Sequence, residues 1–340
     1  MAFSFYRHWY PSMKIQYKIK ALRLLLSLLS KKQWPIELKD VPIQLQFDYS
    51  IQQVISNNKE PLLIFHSING MGNKDPRVQQ LAAIATRVGF DVYLPHLSDT
   101  ANCLLKPDSV DRMCYFLKTF FQHIKTPFSV LAPSFEASLC LEALSHPDIK
   151  PMIKSMCSIG ASHDPNEMLS DALNKEPREL YNLLVVIKTM LFESGQLTPN
   201  LSKIVESKFA IEREVTYDID IETLTLSTKE QFWKDNLFNQ QAVRDACAES
   251  GIDKYRWELA ERLHLITTPI ALLHGQTDNT VPVESAYVLH QKLTKAPRKL
   301  AVTNFLTHGD IQSKALLLRD IVNVINTAAF FLEHAFRKGQ

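Results

Sequence analysis

The chain has 340 residues, of which 46% are hydrophobic and 22% are charged, which is typical of a folded globular protein and excludes a disordered or collagen-like chain. Its formal net charge is +2, and no long basic block follows the first forty residues, so a nucleic-acid-binding surface is not expected. The five cysteines form no CxxC pair, which argues against a disulfide framework and a structural zinc site and favours a reducing, cytoplasmic location.

The first predicted element is a basic amphipathic helix over residues 13–32. Its apolar residues recur at helical spacing and are Ile15, Ile19, Leu22, Leu26 and Leu29. The apolar run is far shorter than the roughly 20 residues of a membrane span, and Arg23 interrupts it without a following cleavage site, unlike a signal peptide. We favour packing of the leucines on the main domain; the alternative is peripheral contact with an anionic membrane. Residues 1–40 are therefore assigned to this helix and a linker.

Strands and helices then alternate along the chain. The alternating apolar residues of 41–47 predict a half-buried strand, and the apolar run 61–66 predicts a fully buried one. Further strands are predicted at 91–94, 128–132, 155–159, 269–274 and 299–302, and helices at 77–88, 109–123, 135–144, 285–293 and 313–337. This order predicts an α/β fold with a mostly parallel sheet covered by helices on both faces, and with the reactive loops at the carboxyl ends of the strands.

The alternation fails between residues 164 and 262. Residues 180–192 have a helical pattern, but the polar stretch that follows contains no clear sheet strand. We therefore predict an inserted helical cap at 164–262 within a core formed by 41–163 and 263–340. The cap aromatics Phe232, Trp233 and Trp257 are expected in its core more than in a substrate wall.

A candidate nucleophile lies where a predicted strand turns abruptly into a helix, at Ser134 within Leu131-Ala132-Pro133-Ser134-Phe135-Glu136-Ala137. A sharp turn lifts the serine hydroxyl clear of the sheet, and the helix amino terminus favours a developing oxyanion. The alternative is that Ser134 only caps the helix. The usual motif is Gly-x-Ser-x-Gly, and here Ala132 and Glu136 replace its two glycines.

A candidate acid and base follow two later strands. Asp278 comes after the strand at 269–274, where a carboxylate can orient a histidine, and a turn-forming role is the alternative. His308, in Leu306-Thr307-His308-Gly309-Asp310, lies in the loop after the last strand, where a general base would reach both groups. Asp164 is the reserve acid. The other histidines that stand near these segments, His66, His96, His163 and His274, are expected to be structural.

The loop after the strand at 61–66 is the candidate oxyanion hole. The backbone N–H of Ile68 would pair with that of Phe135 to bind the oxyanion. Average usage would give about 24 glycines in a chain of this length, yet the chain has 9. Four of these fall in the candidate loops, at Gly70, Gly72, Gly275 and Gly309, which indicates that the backbone bends sharply or packs closely there.

Across residues 40–335 the chain resembles the α/β-hydrolase superfamily, and most closely the bacterial cap-bearing lysophospholipases, carboxylesterases and serine aminopeptidases. The resemblance depends on 66–77, 274–282 and 307–310, and on Ser134, Asp278 and His308 in that order. It implies an eight-stranded sheet, a covalent acyl-enzyme, and neither a metal nor an organic cofactor. Two residues depart from the family pattern, since Ser67 and Glu136 stand where the family commonly has glycine.

The leading hypothesis is a serine hydrolase that cleaves a carboxylic ester, of a small molecule or a lipid, through Ser134, His308 and Asp278. The alternatives are a catalytically weakened scaffold that binds a ligand or a protein, with Glu136 as the discriminating residue, and an acyl transferase or amidase with the same triad. The oligomeric state is not predicted.

Overall fold

The computed structural model describes residues 14–30, 32–174, 180–212, 224–308 and 317–337. These residues form one eight-stranded sheet in the order β1-β2-β4-β3-β5-β6-β7-β8. The strands are β1 (Leu38–Asp40), β2 (Ser50–Val54), β3 (Glu60–Ile64), β4 (Phe90–His96), β5 (Phe128–Pro133), β6 (Ile153–Ile159), β7 (Ile270–Gly275) and β8 (Arg298–Thr303). All neighbouring pairs from β4 to β8 are parallel, whereas β2 is antiparallel to both β1 and β4. The predicted α/β class is confirmed.

The helices that accompany the sheet account for most of the remaining described residues. They are α1 (Ile15–Leu29), α2 (Pro76–Val88), α3 (Ser98–Ala101), α4 (Ser109–Ile124), α5 (Ser134–Leu144), α6 (Pro165–Asn174), α7 (Leu180–Glu193), α8 (Pro199–Glu212), α9 (Thr228–Asn236), α10 (Gln240–Ser250), α11 (Leu259–Arg262), α12 (Glu284–Lys292) and α13 (Leu318–Ala335). None of the helices in the described ranges is long and apolar enough to cross a bilayer.

The sheet is buried on both faces because its central strands are apolar on both sides. Leu62 and Ile64 of β3 pack with α1, α2 and α13, while Leu63 and Phe65 point to the opposite core, which contains α4 and α5. Side chains alternate between the faces of a strand, so a continuous apolar run serves both cores. This explains why these strands could be predicted from apolar runs alone.

The half-buried strand predicted at 41–47 is wrong. The structure places strands on either side of this segment, in β1 and β2, and leaves 41–45 outside the sheet. Phe47 and Asp48 adopt positive φ angles of 62° and 56°, which turn the chain into β2. Val41, Ile43 and Leu45 still pack against the core, so their alternation reflects burial; Val41 also donates a backbone hydrogen bond of 2.9 Å to the carbonyl oxygen of Ile51 in β2.

Between β6 and β7 the described residues form helices α6 to α11 and no sheet strand. Helix α7 is buried along its length, from Tyr181 to Leu191, because its neighbours α6, α8 and α10 cover it. We call the α6–α11 segment the helical insertion. The predicted terminal helix at 313–337 is observed as α13, while residues 313–316 lie outside the described residues.

Helix α1 packs on α13 and α2, mostly through residues outside the predicted stripe. Its buried residues are Tyr17, Ala21 and Leu25, and Leu29 is partly buried beside Leu25. The other four residues of the predicted stripe face solvent. The expectation that the leucines pack on the main domain therefore holds for Leu25 and Leu29 and is wrong for Leu22 and Leu26.

Candidate active site

Ser134 lies at the corner between β5 and α5. It is the first residue of the helix and has a φ of +51°, which is unfavourable for a residue with a side chain. Ala132, two residues earlier, is fully buried, which explains why a small side chain is needed at that position. The strained corner lifts the hydroxyl of Ser134 out of the sheet toward the carboxyl ends of the neighbouring strands.

Ser134, His308 and Asp278 form a continuous hydrogen-bonded chain. Ser134 Oγ lies 2.9 Å from His308 Nε2, and His308 Nδ1 lies 2.9 Å from Asp278 Oδ2. The three residues follow β5, β8 and β7, whose carboxyl ends lie at one edge of the sheet. The chain order Ser, Asp, His is thus brought into the spatial order Ser, His, Asp.

Asp278 is held by its own loop with one oxygen directed at the histidine. Its Oδ1 accepts hydrogen bonds from the backbone N–H groups of Thr280 at 2.9 Å and Val281 at 2.8 Å. Burial by itself would raise the pKa of Asp278, but the hydrogen bond and charge of His308 and the Val281 amide outweigh it, so the pKa is lowered. The acid is therefore ionised at neutral pH and able to stabilise an imidazolium.

Glycine is required where the loops after β7 and β8 meet. A Cβ on Gly275 would lie 2.2 Å from the carbonyl oxygen of Leu306, two residues before His308. Gly160, after β6, has a φ of +61°, and a Cβ there would lie 3.4 Å from Asp278 Oδ2. Gly160 was not singled out in the sequence, although a glycine directly after a buried strand run was a usable signal. Gly309 lies outside the described residues.

The candidate oxyanion loop follows β3. Ile68 lines the cleft beside Ser134, and Phe135 lies in the first turn of α5, where backbone N–H groups have no acceptor within the helix. Ser67 adopts a φ of +69°, a conformation that glycine reaches without strain. The hydroxyl of Tyr181, from α7, donates a hydrogen bond to the carbonyl oxygen of Ile68. The helical insertion thus anchors this loop, a contact that the sequence did not reveal.

His66 also holds the candidate oxyanion loop in place. Its Nε2 accepts a hydrogen bond of 3.1 Å from the backbone N–H of Leu97, and its Nδ1 lies 2.5 Å from the carbonyl oxygen of Ser67. These contacts require the proton to be on Nδ1. Burial lowers the pKa of His66 to about 4, so the ring is neutral at neutral pH.

Glu136 is fully buried behind the serine corner and does not line the cleft. In the described part of the chain neither of its carboxylate oxygens has a hydrogen-bond partner, and Oε1 lies 4.0 Å from His66 Nδ1. Burial raises the pKa of Glu136 to about 7, and the nearby hydroxyls of Thr100 and Ser67 oppose this rise only in part. The residue that replaces the second motif glycine is therefore a buried acid that titrates near neutrality.

The cleft at Ser134 is mostly apolar and encloses about 590 Å³ of empty space, its open mouth included. Its wall combines the loop residue Ile68 with residues of the helical insertion, among them Met168, Leu169, Val185, Val186 and Trp257. Trp257 also packs edge-on against Phe135. Trp257 is buried in the main core, as expected, and it also forms part of the cleft wall. Trp233 is buried elsewhere, and Phe232 is half-exposed.

The remaining candidates have structural roles. Asp164 Oδ1 accepts hydrogen bonds of 2.9 Å from the backbone and side-chain amides of Asn166, at the start of α6. The Nδ1 partner of His308 is Asp278, which leaves no place for Asp164 in the chain. His274 Nε2 lies 3.0 Å from the carbonyl oxygen of Val281, and burial lowers its pKa. Within the described ranges no cluster of three or more His, Cys, Asp or Glu residues is arranged to hold a metal ion.

No protein-family profile matches this sequence, and no curated protein sequence matches it. Solved structures do. A candidate lipase from Acinetobacter baumannii AYE aligns over 94% of this chain and 96% of its own, with 15% identity and a TM-score of 0.50. A serine hydrolase from Cycloclasticus zankles aligns over 89% of this chain and 100% of its own, with 14% identity and a TM-score of 0.50.

The sheet of this chain has eight strands in the order β1-β2-β4-β3-β5-β6-β7-β8, with β2 antiparallel to its neighbours. The chain has the fold of the α/β-hydrolase superfamily.

Proposed function

We propose that the protein is a serine hydrolase that cleaves carboxylic esters through Ser134, His308 and Asp278. The observation that carries the proposal is the unbroken chain of two hydrogen bonds, each 2.9 Å, that ends at a serine held in a strained corner. A nucleophile bonded to a base that is itself oriented by a carboxylate is the arrangement that activates serine. A serine that only capped a helix would need neither partner.

The steps follow from the positions of the protons. Because Nδ1 of His308 donates to ionised Asp278, Nε2 is free to accept the proton of Ser134 Oγ as that oxygen attacks the carbonyl carbon. The tetrahedral oxyanion is bound by the backbone N–H groups of Ile68 and Phe135. His308 then returns the proton to the alcohol as the C–O bond breaks. Water then attacks the acyl carbonyl carbon while His308 takes its proton. As the bond from that carbon to Ser134 Oγ breaks, His308 gives the proton to Oγ, and the carboxylic acid and free Ser134 result.

The substrate class is inferred from the wall of the cleft. Met168, Leu169, Val185 and Val186 offer no charge to a ligand, so an apolar acyl group is favoured over a charged one. We infer that the helical insertion is the cap that closes over this acyl group, and that the ester is of a small molecule or a lipid. One of the two aligned structures is described as a candidate lipase, which agrees with this class.

Glu136 favours one second candidate, a catalytically weakened scaffold that binds a ligand or a protein. An ionised carboxylate buried behind the oxyanion loop would oppose the charge of the tetrahedral intermediate. At a pKa of about 7, however, the acid is mostly neutral under mildly acidic conditions, which leaves room for catalysis. An acyl transferase or amidase would use the same triad, and assays with amide substrates and added alcohols distinguish these activities from ester hydrolysis.

The direct test is labelling with a fluorophosphonate probe. We expect the wild-type protein to be labelled and Ser134→Ala to remain unlabelled. Ser138→Ala is the matched control, since Ser138 also lines the cleft, but its hydroxyl donates to the carbonyl oxygen of Ser162 at 3.0 Å and not to a histidine. Labelling that persists in Ser134→Ala, or that is lost in folded Ser138→Ala, would refute the assignment.

A further inference from the structure

Helix α1 presents an apolar stripe to solvent. The exposed fractions of its residues are 76% for Ile15, 47% for Ile19, 40% for Leu22 and 56% for Leu26. Their spacing of four, three and four residues places them on one line along the helix, about 16 Å long at 1.5 Å per residue. Scattered exposed apolar residues are ordinary, but a continuous line of four indicates a surface that contacts something.

The rest of α1 fixes the direction of this stripe. Tyr17, Ala21 and Leu25 are buried against α13 and neighbouring elements. Lys20 Nζ donates a hydrogen bond of 3.0 Å to the carbonyl oxygen of Val88, at the end of α2. With one side anchored to the fold, the helix cannot rotate to bury the stripe without losing these contacts. The exposed apolar line is therefore a stable feature of the folded protein.

The charged residues of α1, and Lys14 just before it, are all basic. At 100° per residue, Lys18 and Arg23 lie on opposite sides of the apolar line, and Lys14 lies at its beginning. In the described part of the chain none of these three forms an ion pair. The first acidic residue of the sequence is Glu37. Lys299 on β8 is close enough to Lys18 for the charge of Lys18 to act on it: burial first, and then that charge, lower the pKa of Lys299.

We propose that this face of α1 docks the protein on the surface of a membrane containing anionic lipids. An apolar line flanked by cations matches the boundary between acyl chains and phosphate headgroups, where leucines enter the bilayer and lysines contact phosphate. A partner protein would more often present its own mixture of charges and hydrogen-bonding groups. The one-signed border therefore favours lipid.

The docked orientation would bring the candidate active-site edge close to the membrane. Leu25 and Leu29, at the carboxyl end of α1, pack with Ala301 of β8 and with Phe305, three residues before His308. Leu318 and Val322 are exposed at the start of α13, the helix on which α1 packs. Docking does not depend on the proposed hydrolase activity, so the two proposals can fail separately.

The test is co-sedimentation of the full-length Ser134→Ala protein with vesicles, so that no hydrolysis changes the lipid. We expect binding to phosphatidylcholine vesicles that contain phosphatidylglycerol and little binding to pure phosphatidylcholine. Raising salt from about 0.1 M to about 1 M shortens the screening length from about 10 Å to about 3 Å and should weaken binding tenfold or more. Binding that is equal on both vesicles, or unaffected by salt, would overturn the proposal.

Paired variants separate the stripe from general surface effects. Leu22→Gln with Leu26→Gln should weaken binding at least tenfold, whereas Ile55→Gln with Tyr287→Gln, which alter apolar residues exposed elsewhere, should not. Lys14→Gln with Lys18→Gln should weaken it about thirtyfold, at about 1 kcal/mol for each cation. The matched control is Lys229→Gln with Lys295→Gln.

Circular dichroism of each variant reports whether it is folded. Folded stripe variants that bind as tightly as their controls would overturn the proposal. So would absence of vesicle binding together with a dimer, seen by sedimentation velocity, that the stripe variant dissociates, since the occupant would then be a second copy of the chain.

Discussion

The most informative perturbation is Glu136→Gln, because it removes one titration from a buried site while keeping the size of the side chain. Burial raises the pKa of Glu136 from an ordinary value of 4.5 to about 7. The side chains around Glu136 include the ring of His66, the hydroxyls of Thr100 and Ser67, and the thiol of Cys140. The nearest base, His66, is itself held neutral by burial and supplies no counter-charge.

The raised pKa has a defined effect on stability. Below a pH of about 4.5, the ordinary pKa, Glu136 holds its proton in both the folded and the unfolded protein, so its titration does not change the free energy of unfolding. Between about 4.5 and about 7 the folded state alone keeps it, so the free energy of unfolding falls as pH rises. At 1.36 kcal/mol per pKa unit the total loss is about 3 kcal/mol, complete above pH 7. The glutamine variant lacks this loss.

The assay is urea unfolding of both proteins at about pH 4.5 and about pH 8.5. The change in the free energy of unfolding between the two pH values is measured for each protein, and the value for Glu136→Gln is subtracted from that for the wild type so that the other titrating groups cancel. The wild type should lose about 3 kcal/mol more than Glu136→Gln over this range. Equal pH dependence in the two proteins would refute the reasoning about the buried acid.

The same variant should change the pH profile of ester hydrolysis. Above pH 7 the wild type carries a buried negative charge behind the oxyanion loop, so its kcat should fall on the alkaline side, whereas Glu136→Gln should retain activity. Glu142→Gln is the matched control: burial also raises the pKa of Glu142 to about 7, but this residue lies further along α5 and accepts a hydrogen bond from Glu258. Glu142→Gln should change the pH dependence of the free energy of unfolding and leave the pH profile of ester hydrolysis unchanged. A very large gain for Glu136→Gln from a dead wild type would favour the scaffold hypothesis.

Three further predictions concern the groups that orient the site. Asp278→Asn should lower kcat by roughly 10³ to 10⁴ with KM little changed, while Asp164→Asn should lie near wild type in steady-state assays. Gly275→Ala should reduce kcat at least tenfold and lower the thermal midpoint, because the added Cβ would meet a loop carbonyl at 2.2 Å; unchanged kcat in a folded variant would contradict this. Tyr181→Phe loses the hydrogen bond to Ile68 and should lower kcat about threefold to tenfold with KM nearly constant. A change in KM alone would argue that Tyr181 does not position the oxyanion loop.

The parts of the fold that the sequence could predict are those with strong local signals. The apolar runs of β3 and β5 identify buried parallel strands, and Asp75-Pro76 identifies the start of α2, where Asp75 caps the helix. The edge strand β1 and its neighbour β2 could not be predicted, because the apolar alternation falls on the segment between them. Strand β2 also pairs with β4, which lies much further along the chain, and a local pattern does not show such a partner.

The candidate site likewise has parts that could be predicted from the sequence and parts that could not. Each triad candidate was selected by its position after a predicted strand, and the structure places all three in one hydrogen-bonded chain. The contact of Tyr181 with Ile68 joins residues 113 positions apart and has no local signature. The burial of Glu136 and the exposure of the α1 stripe are likewise tertiary properties. Periodicity shows that a helix has an apolar line but not whether that line is covered.

The central claim is that Ser134 carries the acyl group during turnover. Acid quenching soon after mixing with an excess of p-nitrophenyl ester, followed by peptide mass spectrometry, measures this directly. We expect a p-nitrophenol burst equal to the enzyme concentration and an acyl adduct on Ser134, both absent from Ser134→Ala. Ester turnover in Ser134→Ala at the wild-type rate, or an adduct on another residue, would contradict the account.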